Sequence, residues 1–193
     1  MEHLGLQVIG GLLYLLNKVF LVFMERARDK DEESFWKWRK WTWIIYLAGL
    51  PPVLAMFYFK RNWIFGAIEL GGAPAMLCGI LAACSRKDAP KWLDRLALAA
   101  IPIGLALSLW DLGLSRPLTQ GLEILGSAGF LIGTYLLAKD DRRGYNWFFL
   151  MNLATAILFG VQGYYLFVPQ QAVSVILVLY ARRIRSMSQP CAV

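Results

Sequence analysis

Leu6-Gln7-Val8-Ile9-Gly10-Gly11-Leu12-Leu13-Tyr14 lies without a gap over Leu122-Glu123-Ile124-Leu125-Gly126-Ser127-Ala128-Gly129-Phe130, 116 residues further on. A polar residue, a glycine and an aromatic ring coincide at matching places. Each stretch lies in an apolar run of about 20 residues, the length of a membrane-spanning helix. A stretch that recurs marks an internal repeat, which must be recognised before the fold is read. Trp43 and Trp147 open the next run in each copy, at an offset reduced to 104 by a charged insert at residues 26–40. Two three-run units therefore flank one unpaired run. An odd number between them sets both units in the same orientation across a bilayer, a parallel-repeat design whose midplane interface is where binding sites form.

Working outward, seven apolar runs fall at residues 4–24, 41–59, 62–84, 92–112, 118–138, 145–164 and 165–181. The expected fold is an all-α integral membrane protein of seven transmembrane helices in a 3+1+3 order. It is one transmembrane domain over 1–193, with a first three-helix repeat at 4–84, a linker helix at 92–112 and a second repeat at 118–181. Composition agrees: 58% of the 193 residues are hydrophobic and 17% charged, against roughly 45–50% and 25% in soluble domains.

Lys and Arg test the count of spans. Sixteen lie in the connections after the first, third and fifth runs and in the C-terminal tail, and three in the opposite connections. The positive-inside rule then puts the C-terminus in the cytoplasm and the N-terminus outside, in a multi-pass protein of the cell (inner or plasma) membrane. This bias also accounts for the net charge of +7, so no nucleic-acid partner is implied. The first run has no basic leader or small-residue cleavage site and reads as a retained helix.

Other classes lose support from what the residues lack. His3 and three cysteines (Cys78, Cys84, Cys191) have no recognised metal-site spacing, so neither a metal nor another cofactor is expected, nor a catalytic role. Cys191 is one residue short of a prenylation box. A retinal-type receptor needs a Schiff-base lysine in its last span, and residues 165–181 contain none.

Polar side chains inside the runs are the functional candidates, because a bilayer penalises them. Lys18, beside Asn17, has a stem long enough to snorkel to the interface, and Asp111 ends its run near water. Glu69 and Asn152 are deeper and are expected to contact a ligand; Glu123 and Gln162, near the outer ends, are further candidates. Trp36, Trp38, Trp41, Trp43, Trp63 and Trp92 read as interfacial anchors. Tyr145, Phe148 and Asn152, at helical spacing, form two rings beside an amide, a slot for a flat polar ring.

Here Tyr145-x-x-Phe148-x-x-x-Asn152 resembles the W-x-x-W-x-x-x-N motif of the Pnu-type vitamin transporters, with Tyr and Phe where the motif has tryptophan. The following Phe159-Gly160-Val161-Gln162-Gly163-Tyr164-Tyr165 is similar as well, as are the span count and the acidic Glu123. The asparagine of the family's second helix is not matched around Ala48-Gly49, where Pro51-Pro52 follow.

The resemblance implies a seven-helix fold similar to the SWEET sugar transporters and facilitated diffusion of a vitamin or nucleoside-like solute, nicotinamide riboside first, with thiamine and riboflavin as alternatives. It implies trapping of the solute by a cytoplasmic kinase, and a homo-oligomer in the lipid bilayer. Tyr145, Phe148, Asn152, Gln162, Glu69 and Glu123 are then the expected substrate contacts. A non-transporting scaffold that keeps the fold is the alternative. Pro51-Pro52, Pro74 and Pro102 are expected to be hinges or static kinks. Gly71-Gly72-Ala73 and Gly126-Ser127-Ala128-Gly129 are surfaces for close helix contact, and the insert with Trp36 and Trp38 is expected as an interfacial amphipathic segment.

Overall fold

The computed structural model describes residues 4–112, 117–163, 165 and 167–187. Its elements are α1 (Leu4–Ala27), α2 (Glu32–Phe59), α3 (Trp63–Gly71), α4 (Ala73–Ser85), α5 (Lys91–Leu112), α6 (Pro117–Ala138), α7 (Gly144–Val161) and α8 (Phe167–Met187). His3, Arg116, Tyr164 and Cys191, with the side chain of Asp111, lie outside the described residues.

Among the described residues, six segments are long and apolar enough to cross a membrane, α3 and α4 counting together as Trp63–Ser85. That is one fewer than the seven expected. The difference is α8, a 21-residue helix that carries Arg182, Arg183 and Arg185 and is therefore less apolar. These arginines, expected in a tail, are helical: Arg185 is buried, and the Ser186 hydroxyl donates to the Arg182 carbonyl at 3.0 Å.

Neighbouring helices close a ring. α1 lies on α2, α2 on α3 and α4, α4 on α6, α6 on α7, α7 on α8, and α8 returns to α1. α5 stands outside, against α3, α4 and α6. Most basic connections meet at one end of this bundle, where Arg28 pairs with Asp140 at 2.6 Å and Lys139 with Asp94 at 2.8 Å. We call it the basic end.

Two departures from the apolar runs have a local reason. α2 begins at Glu32 because the Asp31 side chain accepts from the Glu33 amide at 3.0 Å and caps it. The charged insert is thus no separate interfacial segment: its second half is the start of a 28-residue helix, about 42 Å long at 1.5 Å per residue. Trp38 is held there by Phe20 and Phe23, with ring centroids 5.3 and 5.0 Å away.

The third run breaks at Gly72. Pro74, which has no N–H to donate, sits in the first turn of α4. A Cβ on Gly72 would come within 2.4 Å of the Phe130 ring, so the ring packs against bare backbone at the break. Pro51-Pro52 and Pro102 lie inside α2 and α5, which remain continuous.

Packing inside the ring consumes the small residues. A Cβ on Gly129 would lie 2.7 Å from the Trp147 carbonyl oxygen and 2.8 Å from the Met151 amide of α7, and one on Gly126 3.1 Å from Thr155. These glycines serve contacts within the chain, as does Gly72 against Phe130. Trp43, expected at the interface, is 3% exposed and lies in the core, where Gly79 leaves room for its indole. Trp41, Trp63 and Trp92 keep outward-facing rings.

Gly49 has the corresponding role for α1: a Cβ there would meet the Tyr14 ring at 2.5 Å. Gly49→Ala is expected to cost about 1–3 kcal/mol, the range for overpacking a filled site. A thermal-unfolding comparison in detergent checks this, and a variant as stable as the parent would show that the Tyr14 ring moves freely.

Candidate functional site

Tyr14, Lys18, Leu21 and Glu25 succeed one another along α1 at spacings of four, three and four residues, so they share one helical face. That face turns into the ring. Between the helices lies a narrow cavity of about 50 Å³, room for about three or four waters. Sites that enclose drug-sized ligands hold roughly 300–1,000 Å³. The cavity is therefore narrower than such a site, with polar side chains set into a largely apolar lining.

Its polar groups come from six helices, α1, α2, α3, α6, α7 and α8. The Tyr14 hydroxyl donates to Glu69 Oε2 at 2.9 Å, which fixes the carboxylate in the last turn of α3, immediately before the break at Gly72. Lys18 Nζ donates to Asn17 Oδ1 at 2.9 Å and lies 4.0 Å from the Phe148 ring centroid and 4.5 Å from that of Tyr46. Asn17 is itself held by donation to the Thr42 carbonyl at 2.8 Å. Buried between two ring faces, the ammonium exchanges hydration for cation–π attraction. Asn152, 1% exposed, donates its amide to the Phe148 carbonyl of its own helix.

α8 completes the wall with Gln170, Gln171 and Ser174. Gln170 Oε1, Gln171 Oε1 and Ser174 Oγ are buried with no protein partner among the described residues. Buried polar atoms are nearly always satisfied in native proteins, and an orphaned one calls for an explanation. Three together on one cavity wall suit a solute rich in hydrogen-bond donors.

The two ends are closed by different chemistry. Phe57, Phe65, Phe159 and Phe167 plug one, with successive ring centroids 4.8, 6.0 and 5.2 Å apart. Toward the basic end, beyond Lys18 and Phe148, a polar network ties α1 to the second half of the chain. Tyr145 donates to Glu25 Oε1 at 2.7 Å, Arg28 binds both Glu25 and Asp140 through paired bonds of 2.6–2.9 Å, and Arg185 lies 3.6 Å from Glu25 and 3.4 Å from Asp140. Burial opposes the Arg28 charge, but its hydrogen bonds to Glu25 and Asp140 outweigh that and hold its pKa above the usual value.

The six residues expected at the site thus part company. Glu69 and Asn152 line the cavity. Phe148 lies just behind the lining, as the floor under Lys18. Tyr145 is committed to Glu25 at the basic end, so the slot of two rings beside an amide does not form. Glu123, buried on α6, and Gln162, at the C-terminus of α7, are not among the lining residues. Lys18, expected to snorkel outward, is 3% exposed and points into the bundle.

Residues that the sequence reading passed over are Tyr14, Tyr46, Gln170, Gln171 and Ser174. The signal in α8 was present: Phe167, Gln171, Ser174, Val178, Ala181 and Arg185 recur at three- and four-residue spacing and are all buried. Compared with family models, with curated proteins and with solved structures, the chain matches none.

Proposed function

We propose that the chain is a multi-pass carrier of the cell membrane that moves a small vitamin or nucleoside-like solute, nicotinamide riboside first, by facilitated diffusion through the ring centre. In this reading α8 is the seventh span, the basic end is cytoplasmic, and the units α1–α4 and α6–α8 rock about the cavity with α5 as linker. The carrying observation is the cavity itself, a narrow space with Lys18, Glu69 and Asn152 on its walls and three acceptors on α8 that have no partner among the described residues. No catalytic step is assigned to it.

The repeat finds support in equivalent contacts. Gly10 and Gly126, aligned in the two stretches, each face the second helix of their own unit, with a Cβ on Gly10 2.7 Å from Val53 and one on Gly126 3.1 Å from Thr155. Tyr14 and Phe130, also aligned, converge edge-on upon one ring, that of Tyr46, at 5.2 and 6.3 Å, which is a contact between the units rather than a repeated one. The phenylalanine cluster at one end and the ion-pair network toward the other fit a constricted state, in which solute entry requires the units to separate. A homo-oligomer in the bilayer remains part of the proposal, using surfaces other than the glycine faces buried within the chain.

Thermal unfolding of the purified protein against nicotinamide riboside, thiamine and riboflavin tests this. A ligand that binds only the folded state stabilises it by about 2.7 kcal/mol at a hundred times its Kd. One of these solutes is expected to raise the melting temperature, and Asn152→Ala to abolish the rise. No response to any of them would favour a non-transporting scaffold.

A further inference from the structure

Arg39 is 6% exposed, and among the described residues its hydrogen bonding is one donation to the Ala138 carbonyl at 2.9 Å. No carboxylate lies within ion-pair distance of it among the described residues, and its remaining partners are the rings of Phe35 and Trp36, at 5.9 and 5.2 Å. A buried guanidinium has five donors, and burying a charge without a counter-ion is costly. Arg39 therefore has no carboxylate in contact, and Asp140 and Glu25 attract it only from beyond ion-pair distance.

It faces a cleft of about 530 Å³ at the basic end, between the start of α2 and the ends of α4 and α6, separate from the ring cavity. Four cations line this cleft, Arg39, Arg86, Lys87 and Lys139, together with Asp88 and Asp140. Two of the charges are already engaged: Asp140 by Arg28 and Arg185, and Lys139 by Asp94. Arg86 has a single 4.0 Å contact with the exposed Glu32. Three cations, Arg39, Arg86 and Lys87, are left facing the one carboxylate of Asp88.

We infer that this cleft binds the phosphate headgroup of an anionic phospholipid in the leaflet at the basic end, with Arg39 as its buried anchor and Arg86 and Lys87 at its mouth. Position selects a lipid over a soluble phosphate. The cleft sits where spanning helices end, Trp36 contributes the amphipathic ring favoured at that depth, and α4 presents exposed Leu77 and Leu81 beside it as a surface for acyl chains. Basic pockets between spanning helices on the cytoplasmic side are suited to such headgroups. The site does not depend on what the ring cavity carries.

The test is thermal unfolding of the full chain in mixed micelles titrated with phosphatidylglycerol, phosphatidylcholine or inorganic phosphate. Phosphatidylglycerol is expected to give a saturable rise in melting temperature and the other two none. Arg86→Gln with Lys87→Gln, both exposed, is expected to weaken this response roughly thirtyfold, since each basic residue near an anionic surface is worth about a factor of five. Arg39→Gln is expected to abolish it; should that variant fail to fold, the exposed pair decides. Equal effects of phosphatidylglycerol and phosphatidylcholine, an unchanged response in the double variant, or a response to inorganic phosphate alone would each overturn the assignment.

Discussion

Glu25→Leu is expected to destabilise the protein by about 3–5 kcal/mol, the usual result of removing one partner from a buried charge network. Glu25 is 2% exposed and accepts from Tyr145 and Arg28, with Arg185 alongside. Leucine fills a comparable volume but leaves the Tyr145 hydroxyl, 1% exposed, with no acceptor, and Arg28 and Arg185 sharing Asp140 alone. The raised Arg28 pKa makes the guanidinium's contribution present at every pH below that of a free arginine, lost only as pH rises through the folded value, so the deficit persists across the neutral range.

Tyr145→Phe removes one hydrogen bond and is expected to cost about 1 kcal/mol. In the double variant the orphaned hydroxyl no longer exists, and the combined loss is expected to fall short of the sum. Thermal unfolding of the four proteins measures this coupling. Additive losses, or a Glu25→Leu effect under about 1 kcal/mol as for exposed ion pairs, would show that the network does not join α1 to the second unit.

The second large effect concerns uptake. Glu69→Gln and Lys18→Met are each expected to lower the uptake rate roughly 10- to 150-fold, the equivalent of losing a charged hydrogen bond of about 1.5–3 kcal/mol. Glu69→Gln keeps an acceptor for Tyr14, so folding is retained while the carboxylate charge is lost. Lys18→Met keeps the apolar stem between Phe148 and Tyr46 and removes only the ammonium. Uptake by vesicles containing matched amounts of folded protein is the measurement. Parental rates in both variants would remove the ring cavity from the transport path.

Hydropathy alone marked six of the seven expected spans, because an apolar run of bilayer length admits few other structures. What it hid was rotation and long-range pairing. Run length does not report which way a helix faces, so Lys18 read as a snorkelling residue although the Tyr14–Lys18–Glu25 spacing turns it inward. Tyr145 read as half of a slot because its partner, Glu25, is 120 residues away in the chain. The start of α2 was obscured by charge: Asp31-Glu32-Glu33 resembles a loop until Asp31 is recognised as a cap with acidic residues in the first turn. The break at Gly72 needed Phe130, from α6 and 58 residues further along the chain, to explain it.

The central claim is that the ring cavity opens to each side of the membrane in turn. Ser174, on the α8 wall and fully buried, is the position to probe, as Ser174→Cys in a background with the native cysteines replaced by serine. A small membrane-impermeant thiol reagent is applied to vesicles from either side, with and without the solute that raises the melting temperature. The account predicts labelling from both sides and protection by that solute. A cysteine that stays unreactive from both sides while the protein takes up solute would contradict it.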